Sequence, residues 1–156
     1  MTVTGLITTD IIPSAADALW EPAPQLDALT QRPVVAIAPQ YGSPAEEEQL
    51  RSILTAGCKL QADQYHIIQL RPGQVLPWFR MVEQAAPKVV LFFGVQPAEL
   101  GISALFRFCE VNSFGGALWI PAFPLAQLVQ DKAAKGQLWN NALKPVFETK
   151  TYGNLL

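Results

Sequence analysis

Side chains that hold metals are scarce in this chain: two cysteines, Cys58 and Cys109, and one histidine, His66. Neither cysteine belongs to a C-x-x-C pair, so a structural zinc or iron–sulfur site lacks ligands, and no metal or other cofactor is expected. The two thiols read instead as free, buried side chains of a protein in a reducing cytoplasm. Charge is also scarce, 15% of residues against 50% apolar, which marks a globular chain and not a disordered one. No apolar run approaches the roughly 18 residues of a membrane span. Residues 1–10 carry no basic cluster ahead of an apolar stretch, so a signal peptide is not expected. G-x-G-x-x-G, Walker and G-x-S-x-G patterns are missing too, which removes the sequence signs of a phosphate cradle and of a serine nucleophile elbow.

What is present divides the 156 residues into an arm, a single domain and a short tail. Residues 1–31 contain Asp10, Asp17, Glu21 and Asp27 and no Lys or Arg, while the remainder carries eleven basic and nine acidic residues. An acidic arm on a mildly basic body is poorly suited to gripping phosphates, which takes many Lys and Arg contacts. Pro13, Pro22 and Pro24 limit helix in the arm to about two turns over Ser14–Trp20. Its Leu6, Ile7, Ile11, Ile12, Leu19 and Trp20 are nevertheless too apolar for a solvated linker. Either they pack on the chain's own body, or the arm docks on another protein with Leu19 and Trp20 as anchors, since Trp is typical of interface hot spots.

From Pro33 the pattern alternates strand and helix. Val34–Ala38 is a short apolar run closed by Pro39, the signature of a strand buried on both faces. Ser43, Pro44 and Glu46 predict a capped helix start, with Leu50, Ile53 and Leu54 facing inward and Gly57 as the stop. Strands follow at Tyr65–Leu70, Lys88–Phe93 and Ala117–Ile120. Helices are expected over Pro77–Ala86 (Trp78, Phe79 and Val82 inward), from Pro97, over Pro124–Gln130 and over Ala134–Leu143. Ala104–Phe114 is aromatic and fits neither period, and a polar tail starts at Thr149. Strands separated by helices predict an α/β three-layer sandwich around a central, mainly parallel four-stranded sheet.

Several residues then fall in a known order. Ala36-Ile37-Ala38-Pro39-Gln40, Arg71-Pro72 after a strand, Pro87-Lys88-Val89-Val90-Leu91-Phe92-Phe93-Gly94, Ile120-Pro121-Ala122-Phe123-Pro124-Leu125, and Lys135 with Trp139 follow the layout of the uracil-DNA glycosylase superfamily. The span 32–148 thus resembles that superfamily, and the resemblance implies its fold, with a cleft formed by Ala38, Pro39, Gln40, Tyr41, Pro121, Ala122 and Phe123. Base excision needs a group that places or activates water and a donor for the departing base anion. Ile37, Ala38 and Ile120 stand where the superfamily carries those groups. An isoleucine neither takes a proton nor donates a hydrogen bond, so the catalytic motifs are lost and enzymatic activity is not expected.

Trp20 stands in the N-terminal arm, Leu60-Gln61-Ala62-Asp63-Gln64 leads into a strand that ends Gln69-Leu70-Arg71-Pro72, and Leu138-Trp139 belongs to a final helix. On a glycosylase-like scaffold without its chemistry, these features are similar to those of the psi subunits of bacterial DNA polymerase III, small replication proteins tied to the clamp loader by an N-terminal peptide. This second resemblance implies a non-catalytic interaction subunit whose protein partner belongs to clamp-loader or single-stranded-DNA-binding machinery, with nucleic-acid binding weak or indirect. The alternative is a diverged DNA- or nucleobase-binding protein, or a weak DNA glycosylase, that uses the cleft near Pro39 and Pro121. Tyr41 and Phe123 could stack a base there, or could fill a closed cleft. His66 reads as a satisfied strand histidine, Asp63 as a turn residue, and Gly115-Gly116 as a turn before a strand.

Overall fold

The computed structural model describes residues 29–156. Leu19 and Trp20, with residues 1–28 of the arm, lie outside the described residues. The frame is a five-stranded sheet made of β1 (Val34–Pro39), β2 (Tyr65–Leu70), β3 (Val89–Phe93), β4 (Asn112–Phe114) and β5 (Ala117–Ala122) in the order β2-β1-β3-β5-β4. The pairs β1–β2, β1–β3 and β3–β5 are parallel, and β4 runs antiparallel to β5.

The sheet has one strand more than the sequence pattern suggests. β4 is only three residues long and lies at the end of the aromatic stretch whose period is neither two nor 3.6. It exists because Gly115 and Gly116 close a two-residue hairpin onto β5, with Phe114 opposite Ala117. Both glycines have positive φ, 57° and 81°, as the tight turn that matches strand twist requires. β5 also runs two residues past Ile120, to Ala122, because its alignment beside β3 pairs Phe92 with Pro121 and Phe93 with Ala122.

Helices cover both faces. On one, Ala36, Ala38, Leu91, Phe93 and Ile120 bury against α1 (Pro44–Ser52), α3 (Leu125–Gln130), α4 (Lys132–Leu138) and the wide-turned helix Trp139–Glu148 that continues α4. On the other, Val35, Ile37, Val90, Phe92 and Trp119 pack with α2 (Trp78–Ala85) and the 3₁₀ turn Pro97–Leu100. Strands buried on both faces explain the unbroken apolar runs of β1 and β3. Leu29, just before β1, is buried in the α2 side of the core.

Four local details differ from the sequence reading. Ser43 occupies the N-cap of α1 with Pro44 following, but its side chain makes no capping bond; the Glu46 N–H instead bonds the Ser43 carbonyl at 3.1 Å. The helical turns begun by α1 do end at Gly57, but as a π turn over Ile53–Gly57, and the left-handed residue beyond them is Lys59, at φ 58°, and not the glycine. The Cys58 and Leu60 N–H groups then satisfy the carbonyls of Ile53 and Leu54. In α2 the inward stripe is Trp78, Met81, Val82 and Ala85, spaced as one helical face. Phe79 falls about 100° away from that stripe and is exposed. Finally, α4 starts at Lys132, earlier than Ala134, because the Asp131 carboxylate caps it by accepting from the Ala134 N–H at 3.1 Å.

Candidate functional site

In open parallel sheets, ligands bind beyond the carboxyl ends of the strands, near the point where strand order reverses. Here β1 is that reversal, with β2 on one side and β3 on the other. The carboxyl ends of β1, β3 and β5 bring Ala38–Tyr41, Phe93–Val95 and Pro121–Phe123 to one end of the sheet, with β3 in the middle. The two segments singled out in the sequence therefore do share one edge of the molecule.

The side chains there divide between the faces. Ala38 and Ala122 belong to the core on the α1 side, and Tyr41 and Phe123 border it. Ile120 is fully buried on the same side, whereas Ile37 is fully buried on the α2 side. Ile37 and Ile120 thus lie on opposite faces of the sheet, while Ala38 shares the face of Ile120. Pro39 and Gln40 are exposed, and Pro121 is buried.

Close packing occupies much of the space between these strand ends. Gly94, with φ 68°, lies so near Pro124 that a Cβ on it would come within 3.1 Å of the proline Cα and Cβ. The Gly94 N–H bonds the Ala122 carbonyl at 3.0 Å, and the Cys109 N–H bonds that of Pro121 at 2.8 Å. Phe123 meets Phe108 edge-on at 4.9 Å. On the β2 side, the Gln40 N–H bonds the Leu70 carbonyl at 3.1 Å, and the Tyr41 N–H bonds the Gln69 side-chain oxygen at 3.2 Å. Partial burial raises the Tyr41 phenol above its ordinary pKa, nearby Glu47 adds to that, and Arg51 opposes it. The phenol is therefore neutral at physiological pH and is no base. What this edge offers chemically is amide and phenol hydrogen bonding, with apolar walls.

The remaining candidates lie elsewhere. His66 sits near the start of the outer strand β2, paired in register with Val35. Its Nε2 is 3.1 Å from the Thr30 nitrogen and 2.9 Å from the Thr30 carbonyl oxygen, so either tautomer finds a backbone partner. Burial lowers its pKa, Arg32 lowers it further, and the Thr30 contact opposes both. Asp63 lies in the 3₁₀ turn Ala62–Gln64, bracketed by a Gln61–Gln64 capping box. Cys58 and Cys109 are buried and free, their thiols pushed up to about 12 and about 11 by burial, so neither is a ready nucleophile.

Sequence reasoning missed a different feature. Two cavities of about 470 and 440 Å³ adjoin along β4, and neither is lined by a residue of the expected cleft. Ser113, Leu118 and Tyr152 line both. The signal for this groove was the unplaced aromatic stretch Ala104–Phe114; Tyr152, in the tail, gave none.

No protein-family model matches this sequence, and no curated protein matches it at a significant level. Among the described residues, no helix is long and apolar enough to cross a membrane.

Proposed function

We propose that this protein is a non-catalytic interaction subunit built on a uracil-DNA glycosylase-like scaffold, a replication accessory of the psi-subunit kind whose acidic arm engages a protein partner through Leu19 and Trp20. The observation that carries this reading is the character of the strand-end edge. Ala38, Pro39, Pro121 and Ala122 supply no proton donor or acceptor in their side chains, and Ile37 and Ile120 are core residues on opposite faces. Ile37, Ala38 and Ile120, which stand at the motif positions, cannot supply the usual pairing of a water-activating group with an anion-stabilising donor. The sheet order and the position of both motif segments at its carboxyl edge support the superfamily resemblance, and the arm's composition supports a protein partner over nucleic acid.

The test has two arms. Full-length protein incubated with uracil-containing single- and double-stranded DNA is expected to leave no abasic sites above background. In the second arm, the full chain and its Trp20→Ala variant are each run with purified clamp-loader and single-strand-binding proteins on a sizing column. Co-elution of the full chain and its loss in the variant are expected. Uracil excision, or the absence of co-elution, would overturn the reading.

A further inference from the structure

The groove along β4 lies at the edge of the sheet, where among the described residues β4 pairs with β5 alone. Ser113 stands opposite Leu118, one step beyond the Phe114–Ala117 pair that closes the hairpin. In an antiparallel ladder, narrow and wide pairs alternate, so the Ser113 N–H and C=O point away from β5 and toward the groove. Leu105, 99% exposed, and Tyr152, 46% exposed, give the groove an apolar rim. Its charged lining is basic: Lys88 in one cavity and Arg107 in the other, the latter ion-paired at 3.5 Å with half-buried Glu110.

We infer that this groove is the docking site of the chain's own N-terminal segment, with Leu19 and Trp20 seated along β4. Three observations select that occupant. The first is reach. The described chain begins at Leu29, buried beside the amino ends of the strands, and Thr30 touches His66 near the start of β2. Lys88 and Ala117, which line the groove, lie at the same amino end of the sheet, as the bond from the Lys88 N–H to the Pro33 carbonyl shows. From β2 to β4 is four strand spacings, roughly 19 Å at about 4.8 Å each. The eight residues 21–28 can span at most roughly 26 Å at about 3.3 Å per residue, enough for Trp20 to reach the groove.

The second observation is charge. Asp17 and Glu21 flank Leu19 and Trp20 in an arm without a basic residue, opposite Lys88 and Arg107. The third is apolar content, for the arm carries paired aliphatic and aromatic residues that need cover, and the groove rim needs the same. A partner that takes Leu19 and Trp20 then competes with the groove, which stores the arm until that partner arrives.

Disulfide trapping in the full-length chain tests this. Ala18→Cys is combined with Ser113→Cys, leaving both anchors intact, and compared with Ala18→Cys plus Glu83→Cys on the exposed face of α2. Cys58 and Cys109 are buried and do not compete. Under mild oxidation the Ser113 pair is expected to give an intramolecular bridge at least about tenfold faster than the Glu83 pair, because docking raises the effective concentration of the two thiols. Adding Trp20→Ala, or Leu105→Asp at a fully exposed position, should abolish the difference. Equal rates at the two positions, or a covalent dimer in place of the bridged monomer, would overturn the inference. The trapping uses the isolated chain, so its failure leaves the partner experiment untouched.

Discussion

The ring of Phe108 stands edge-on to that of Phe123, with 4.9 Å between centroids and an interplanar angle of 88°. Phe123 is, with Tyr41, one of the two aromatic residues that a base-stacking cleft would have used, and its ring already has an aromatic partner in the loop before β4. Such edge contacts contribute about 0.5–1.5 kcal/mol beyond the area they bury. Phe108→Ala and Phe123→Ala should each lower stability, and a double-mutant cycle in urea should return a coupling of about that size. Neither change is expected to alter retention on single-stranded DNA. A drop in DNA affinity with unchanged stability would restore the base-stacking role.

Gly94 is required for two reasons at once, its φ of 68° and its approach to Pro124. Gly94→Ala adds a Cβ in a left-handed backbone, which costs about 1–2 kcal/mol before any clash is counted. The expected result is a lower urea midpoint at unchanged slope. Gly73→Ala is the control, since its φ of 78° carries the same backbone cost but its Cβ would meet nothing within 4 Å. Gly94→Ala should be the more destabilising of the two.

His66 gives stability a pH dependence. Its folded pKa is lowered, chiefly by burial, below the ordinary value of 6.5. The unfolded chain therefore binds the proton more readily. The contribution of His66 is complete above pH 6.5 and is lost as pH falls from there through the folded pKa. Urea midpoints of the native chain should decline between pH 7.5 and 5, and His66→Gln should flatten that decline. An identical decline in the variant would place the effect on other groups.

The thiols offer a direct readout of burial. Burial pushes Cys58 up to about 12 and Cys109 up to about 11. At pH 8 the folded protein should leave both unreacted toward a disulfide reagent over minutes, and both should react at once in denaturant. Prompt reaction of one thiol in the folded protein would mean that the segment around it opens readily.

The strand runs at Val34–Ala38 and Val89–Phe93 were legible because a strand covered on both faces has no polar positions, and their alternation with helices implied a parallel sheet. The same local logic found the Gly115-Gly116 turn. It could not place Phe79, whose side depends on which stripe of α2 meets the sheet, nor show that the helix reaches Gly57 as a π turn whose Ile53 and Leu54 carbonyls find their donors around a left-handed lysine. β4 was hidden for a related reason: a three-residue strand has no period to read and is defined by its neighbour.

Sequence alone determined the class of the fold, the apolar residues Ile37, Ala38 and Ile120 in the segments Ala36–Gln40 and Ile120–Leu125, and the charge contrast between arm and body, because each is a property of residue type and local order. Tertiary structure decided that Ile37 and Ile120 point into opposite halves of the core, that Gly94 and Pro124 meet at the strand ends, and that Leu105, Ser113 and Tyr152 border one groove. These are relations between residues far apart in the chain, fixed by strand order and by the pairing of β4 with β5, which no local pattern encodes.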